Sequence, residues 1–296
     1  MQDDAYYEFW RKHWITVVYI AAALIMALNV WLWCNRVQTN PERVFWNMVS
    51  QNLASSSVTV SGEQDSNGGT LKQTVALQLG EKNITHALVN VGQAGTKITT
   101  EVIGTPDADY TRYKSLETAQ GKNTNGKLIN VWATTKPQLF GQTVLGLGLS
   151  LGSVPVPIAN AHGAANDKIL KQIKNSVMYQ IDFKRVAKEH KDGRLLYTYD
   201  VKSAPFVYVE ILKMIAEEVG IASLKHINPA DYRDLQTISM KFTVDVRAQQ
   251  LKKVSYDGSN YQQHYSSYGV PVDVEIPKKT ITLEELQGRF QTASQQ

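Results

Sequence analysis

From Trp14 to Cys34 the chain runs without an acid, a lysine, an arginine or a histidine. At about 1.5 Å rise per residue, a helix over this run is about 30 Å long, one hydrocarbon thickness of a bilayer. Trp10, Trp14 and Tyr19 mark one end and Trp31 and Trp33 the other, where amphipathic rings sit at headgroup level. A buried helix of a soluble core seldom stays apolar on every side for this length. A cleaved signal peptide would have a shorter apolar core followed by a small-residue cleavage site, and neither is found here. Lipidation at Cys34 would need a small residue before it, and that residue is Trp33. The run therefore predicts one uncleaved transmembrane helix, residues 14–34, acting as a signal anchor. Arg11 and Lys12 on one flank are balanced by Arg36 and Arg43 on the other, so the expected orientation rests on the short first segment. Residues 1–13 are expected on the cytoplasmic side and the bulk of the chain outside, in a single-pass protein of the cell membrane whose first partner is the bilayer.

After a linker at 35–40, residues 41–296 read as one folded extracytoplasmic domain. Hydrophobic residues make up 43% of the chain and aromatic residues 9%, enough for an ordinary core. Cys34 is the only cysteine, which excludes an intrachain disulfide and a thiolate metal site. A formal net charge of +4 is too mild for a nucleic-acid partner, and no basic stripe interleaved with aromatics accompanies it.

The domain opens with Asn40-Pro41-Glu42, an N-cap, a first-turn proline and an acid at the positive helix end. A helix from Glu42 to about Ser55 then places Phe45, Met48, Val49 and Leu53 on one face. Strands are expected at Val58–Ser61, Leu71–Leu79, Thr85–Val91, Lys97–Ile103, Asp109–Tyr113 and Leu128–Thr135, separated by Asn, Gly and Pro turns. Further strands are expected at Val177–Arg185 and Leu195–Val201, followed by an amphipathic helix from Pro205 to about Leu224. A four-strand meander then covers Thr237–Arg247, Leu251–Tyr256, Tyr261–Tyr268 and Val270–Ile276. Thr282-Leu283-Glu284-Glu285 is a capping box opening a last helix. About a dozen strands joined by short turns, with three helices, make an α+β protein with a curved, mostly antiparallel sheet and helices on one face.

One segment does not fit this pattern. Between Lys136 and Asp167 no acid, lysine or arginine occurs, and the stretch contains Leu145-Gly-Leu-Gly-Leu-Ser-Leu151 and Val154-Pro-Val-Pro-Ile158. Gly146, Gly148 and Gly152 weaken a helix, and Pro155 and Pro157 weaken a central strand. Three readings stay open: a buried connector lining the sheet, an apolar lid or membrane-touching loop that gates a cavity, and a second membrane span. The lid reading makes Leu139, Phe140, Leu145, Leu147, Leu149, Leu151, Val154, Val156 and Ile158 candidate ligand-binding residues, because apolar surface opened beside a bilayer gives acyl chains a route that avoids water.

The order of elements resembles the extracytoplasmic half-barrel lipid carriers, the LolA-like and LppX/LprG-like proteins. The resemblance is carried by the helix Pro41–Leu53 leading into Val58-Thr59-Val60, and by the strands Tyr197-Thr198-Tyr199-Asp200-Val201 and Phe242-Thr243-Val244-Asp245-Val246. The closing run Tyr268-Gly269-Val270-Pro271-Val272-Asp273-Val274-Glu275-Ile276-Pro277 completes it. It implies a half-barrel around an apolar cavity for acyl chains, with lipid, glycolipid or lipoprotein as cargo. Those carriers are secreted or lipid-anchored, whereas here a transmembrane helix is expected to hold the domain. The alternative is a structural or protein-interaction domain of the envelope, with a solidly packed sheet and no ligand.

Lys168, Lys171 and Lys174 recur at helical spacing and are candidates for anionic headgroups, beside the plainer reading of a solvated helix face. Catalysis finds little support: the six histidines stand singly, and no metalloprotease, nucleophile-elbow or phosphate-loop motif is present. No enzyme activity, cofactor or metal is expected. Asp200 and Asp245 sit in matching strand motifs and are expected opposite lysines rather than in an acid/base pair. The sequence leaves the oligomeric state open.

Overall fold

The computed structural model describes residues 18–29, 39–66, 68–118, 121–122, 126–136, 143–220 and 227–294. The chain falls into two compact units, Met1–Trp46 and Asn47–Gln296. In the first unit, residues 18–29 form a helix, α1, whose Tyr19, Leu24, Ile25, Met26 and Leu28 are all exposed. Asn29 donates its side-chain amide back to the Ile25 carbonyl at 2.8 Å. No helix among the described residues is long and apolar enough to cross a membrane, and positions 14–17 and 30–34 of the expected span lie outside the described residues. Helix α2, Pro41–Ala54, begins where its cap predicts: Asn40 Oδ1 accepts the Arg43 N–H at 3.1 Å.

Among the described residues the second unit is built on one 14-stranded sheet, curved and mostly antiparallel. Its first half is a meander of β1 (Ser57–Ser66), β2 (Gly69–Gln78), β3 (Ile84–Gln93), β4 (Thr96–Gly104) and β5 (Asp109–Thr118), with β6 (Gly121–Lys122) and β7 (Ala133–Thr135) beside β5. Its second half comprises β8 (Gln180–Ile181), β9 (Ala187–Lys191), β10 (Arg194–Ser203), β11 (Ile238–Asp245), β12 (Gln250–Tyr256) and β13 (Gln262–Ser266). The halves join where β1 pairs antiparallel with β13, Thr59–Glu63 against Gln262–Ser266. The last strand, β14 (Ile281–Thr282), pairs parallel with β7 at the far edge.

Turn chemistry sets the hairpins. Asp192 and Gly193 both have positive φ, 51° and 72°, the geometry that lets a two-residue turn match the twist of β9 and β10. Registers then sort side chains onto two faces. One face is apolar and continuous from Val201, Tyr199 and Tyr197 through Met240, Phe242, Val254 and Tyr265 to Val60, Val58 and Leu77. The other carries polar groups such as Lys72, Thr74, Asn90, Glu101 and Arg112.

The apolar face is covered by α2 from Asn47 onward, α3 (Val144–Gly148), α4 (Ala164–Asn175), α5 (Pro205–Val219) and, at the far end, α6 (Leu283–Ser294). Met48, Val49, Leu53, Ile169, Ile173, Ile211 and Ile215 are fully or almost fully buried. At about 1.5–3 kcal/mol for each fully buried aliphatic side chain, this layer contributes substantially to the stability of the fold. The predicted α5 extended to Leu224; it runs to Val219 with Gly220 as a left-handed cap, and 221–226 lie outside the described residues.

Three predicted strands are corrected. Val270–Ile276 is irregular and largely exposed. Pro271 and Pro277 lack the N–H that a ladder needs, and this segment carries the chain from central β13 to β14 at the far edge. Only its start is pinned, by Gly269 N–H to Ser57 O at 3.0 Å, Ser57 Oγ to Val270 O at 2.6 Å and Val272 N–H to Gln78 Oε1 at 2.7 Å. Val177–Arg185 is reduced to β8 and a 3-10 turn, Phe183–Arg185, where Asp182 caps Lys184. Leu128–Thr135 shrinks to a bridge at Ile129 and the short β7.

Candidate functional site

The apolar run that resists regular structure lies on the apolar face of the sheet. Residues 143–161 form a strap: α3 first, then an extended irregular stretch ending before α4. Of the predicted ligand-binding residues, Leu145, Leu149, Leu151, Val154, Val156 and Ile158 are buried, while Leu147 is 54% exposed. Leu139 and Phe140 lie outside the described residues.

A buried irregular stretch leaves main-chain carbonyls without ladder partners, and each must find a donor. Here tyrosines supply them. From α5, the Tyr208 hydroxyl lies 2.9 Å from Leu149 O and 2.5 Å from Val154 O. From the sheet, Tyr256 of β12 donates to Gly152 O at 2.8 Å and Tyr265 of β13 to Ser153 O at 3.0 Å. Gln263 Nε2 adds a second bond to Gly152 O at 2.7 Å, and Tyr179 donates to Pro155 O at 2.6 Å. Gln263 Oε1 in turn lies 2.7 Å from the Tyr265 hydroxyl and 3.0 Å from that of Tyr256. Burial pushes the hydroxyls of Tyr179, Tyr208, Tyr256 and Tyr265 up from their ordinary value, so all four remain protonated donors. None of these five side chains was picked out as a site residue from sequence. At core-facing positions a tyrosine reads as one more apolar side chain, and the available signal was a carbonyl-rich Gly/Pro run that had to be satisfied from elsewhere.

The two ends of the strap are held differently. At its trailing end, Ala159 and Ala161 donate to Leu53 O at 3.2 and 2.9 Å, and Asn160 donates to Ser55 O at 3.1 Å. At its leading end, Thr143 Oγ1 caps the Gly146 N–H at 2.9 Å, and Val144 N–H meets both carboxylate oxygens of Asp109, at 3.1 and 3.0 Å. Asp109 is 5% exposed, and burial, offset in part by that amide, pushes its carboxyl up to about 6. Gly104 faces the same spot. A Cβ there would stand 2.7 Å from Leu145 N, so only a glycine lets the strap lie against β4. The Thr85 hydroxyl, fully buried, is unpartnered beside Gly148.

Beyond the strap the apolar face is only partly covered. Leu71 opposes Val91, and Val91 opposes Ile98; Val75 opposes Ala87, and Ala87 opposes Val102. With Val89, which stands opposite the polar Gln73 and Thr100, these residues form a partly open strip of the sheet, the trough, bordered at Ile98 by the core cluster of Leu116, Leu128, Ala133 and Leu286. The residues of the strip are half-buried, apart from buried Ala87 and from Val91, which is 38% exposed.

The predicted headgroup lysines do lie on a helix, α4, but Lys168 pairs with Glu218 at 3.3 Å, and Lys174 has a partner of its own. Lys171 is exposed. Asp200 stands directly opposite Lys241 and pairs with it at 2.9 Å, as its strand position suggested. Asp245 is instead buried in the β11–β12 turn, accepting the Arg247 and Ala248 N–H groups at 3.0 and 2.8 Å.

On the polar face, sequence reading missed a charged cluster. Glu101, buried, meets His86 at 2.8 Å, Arg112 at 2.5 Å and Lys114 at 3.6 Å, and the Arg112 guanidinium lies 4.4 Å from the Trp132 ring centroid. Burial works against the charge of Glu101, but hydrogen bonds from Arg112 and His86, with the charges of Arg112 and Lys114, hold its carboxyl below the usual range. The cluster ties β3, β4 and β5 together. Among the described residues no group of three or more His, Cys, Asp or Glu side chains is placed to hold a metal ion.

No protein-family model matches the chain, and no curated protein matches it. Among solved structures the chain is similar to the crystal structure of LprF from Mycobacterium bovis, at 13% sequence identity and a TM-score of 0.40, over 80% of this chain and 96% of that one.

Proposed function

We propose that the Asn47–Gln296 unit binds and carries a molecule bearing acyl chains, at the outer surface of the membrane to which the segment Trp14–Cys34 anchors it. The observation that carries the reading is the trough. Leu71, Val75, Val89, Val91 and Val102 share one face and stay partly open to solvent, although a soluble domain gains by covering such a surface. Lipid, glycolipid or a lipid-modified protein has the chemistry to cover it. The membrane anchor is supported by the composition of the run and by the apolar side chains that α1 leaves exposed, with its amide side chain, Asn29, bonded back into its own helix. Binding rather than catalysis is the role proposed, since the buried acids Asp109, Asp245 and Glu101 are engaged by backbone amides and neighbouring cations.

A second reading, a packed interaction domain without ligand, draws on the full burial of Val156 and Ile158. Native mass spectrometry of the whole chain after mild detergent extraction separates the two. Co-purified lipid is expected, together with uptake of a fluorescent fatty acid that Val91→Lys and Leu71→Lys abolish. Lipid-free protein that takes up no probe would overturn the carrier reading in favour of the packed domain.

A further inference from the structure

The strap is fastened by groups of two kinds. Along its middle the donors are neutral hydroxyls and an amide, and at its trailing end they are backbone N–H groups. Its leading end alone is held by a carboxylate, that of Asp109, through the Val144 amide. Beneath that end lie the unpartnered Thr85 hydroxyl and the bare backbone of Gly104. Strap and trough are adjacent on one face, since Gly104 and Val102 alternate along β4 and Thr85 and Ala87 along β3.

We infer that residues 143–151 are a lid whose leading end is latched by Asp109: the latch holds in acid and loosens toward neutral pH, adding the surface around Thr85 and Gly104 to the trough. The lid rests on the carrier reading for its purpose, but not for its mechanism. A carboxylate buried without a cation is disfavoured once ionised. Lifting the lid returns it to water, where it titrates at its ordinary value, so the open state gains as pH rises. Among the described residues the surroundings supply no counter-charge. Gly104, Thr105, Thr135, Thr143 and Val144 are not ionisable, and positions 137–142 contain no ionisable residue. Asp107 and Lys136 are exposed, while Tyr110, Arg112 and His86 belong to the opposite face. Burial is the main cause of the raised Asp109 value of about 6, and the Val144 amide opposes it.

Hydrogen exchange of the full-length protein in detergent, read by mass spectrometry on peptides covering 143–151 and corrected for intrinsic rates, tests this. Between pH 5 and 7.5 the open fraction should rise about tenfold if lifting restores the ordinary titration. Asp109→Asn, which keeps an acceptor for Val144 and cannot ionise, should show no rise. Unchanged protection across the range in the wild type would overturn the latch, as would an equal rise in Asp109→Asn. Should that variant lose protection in β11 and so prove unfolded, Asp109→Glu takes its place: its displaced carboxylate must move the wild-type midpoint, and an unmoved midpoint overturns the latch. No lipid is added, so absence of co-purified lipid removes the carrier reading alone, and a pH-independent lid removes the latch alone.

Discussion

The strap and α6 cover the same apolar face by opposite means. Helix α6 satisfies its own backbone and needs only a cap and contacts: Thr282 Oγ1 accepts the Glu285 N–H at 3.2 Å, Arg289 pairs with Glu285 at 2.6 Å, and Leu286 and Phe290 pack on Leu116, Leu128, Ala133 and Tyr113. The strap has too little regular structure to do this, so its carbonyls depend on side chains that α5, β12 and β13 hold out to it. A helix can be seated by apolar surface alone, whereas an irregular cover requires a receptor with its donors already in place.

The largest test of that contrast is truncation. Leu149→Ala and Leu286→Ala should each cost about 2–5 kcal/mol in urea unfolding. The strap variant should lie at the upper end, because the tyrosine bonds on either side keep the chain from collapsing into the cavity, while α6 is free to tilt. A larger loss for Leu286→Ala would break the comparison.

Next in size is the pH dependence at Asp109. Its carboxyl is raised in the folded state from 3.8 to about 6, so folding takes up a proton between these values. Stability should therefore fall by about 3 kcal/mol in all as pH rises from about 3 to about 7, about 2 kcal/mol of it between pH 4 and 6. Asp109→Asn should remove this slope in equilibrium unfolding, and a slope that survives would assign it elsewhere.

Smaller again, Tyr208→Phe leaves Leu149 O and Val154 O short of a buried donor and should cost about 1–3 kcal/mol. Tyr113→Phe, whose ring stacks on Phe290 at 5.0 Å, should stay within about 0.5 kcal/mol. Equal losses would mean that the hydroxyls do not hold the strap. The smallest effect expected is Thr282→Ala, about 1 kcal/mol from the lost cap, read as a lowered melting temperature.

What was legible in the sequence follows the same division. The starts of α2 and α6 and the face of α5 were readable because caps and helical periodicity are local. So were the hairpins of β1–β5, set by Gly and Asn turns. The strap announced itself as irregular and apolar, yet its place stayed open, because its partners Tyr179, Tyr208, Tyr256 and Tyr265 stand far away in sequence and carry no local mark. Asp109 stands at the first position of β5, just past a turn, where an acid reads as one more solvated turn residue. Val270–Ile276 misled for the converse reason: its alternation is strand-like, while its path is fixed by the need to reach β14.

The pairing of β1 with β13 has a consequence in time. Thr59 meets Ser266, residues some two hundred apart, whereas β1–β5 and β10–β12 each pair through neighbours in sequence. The two meanders can form early from nearby contacts, but the pairing that unites them waits on closure of nearly the whole domain, which slows folding. Until it closes, β1 and β13 each present an open edge to any other chain that passes. Nascent protein is therefore most exposed to mispairing at Thr59–Glu63 and Gln262–Ser266, and a chaperone protecting this chain during synthesis would have those two strands to shield.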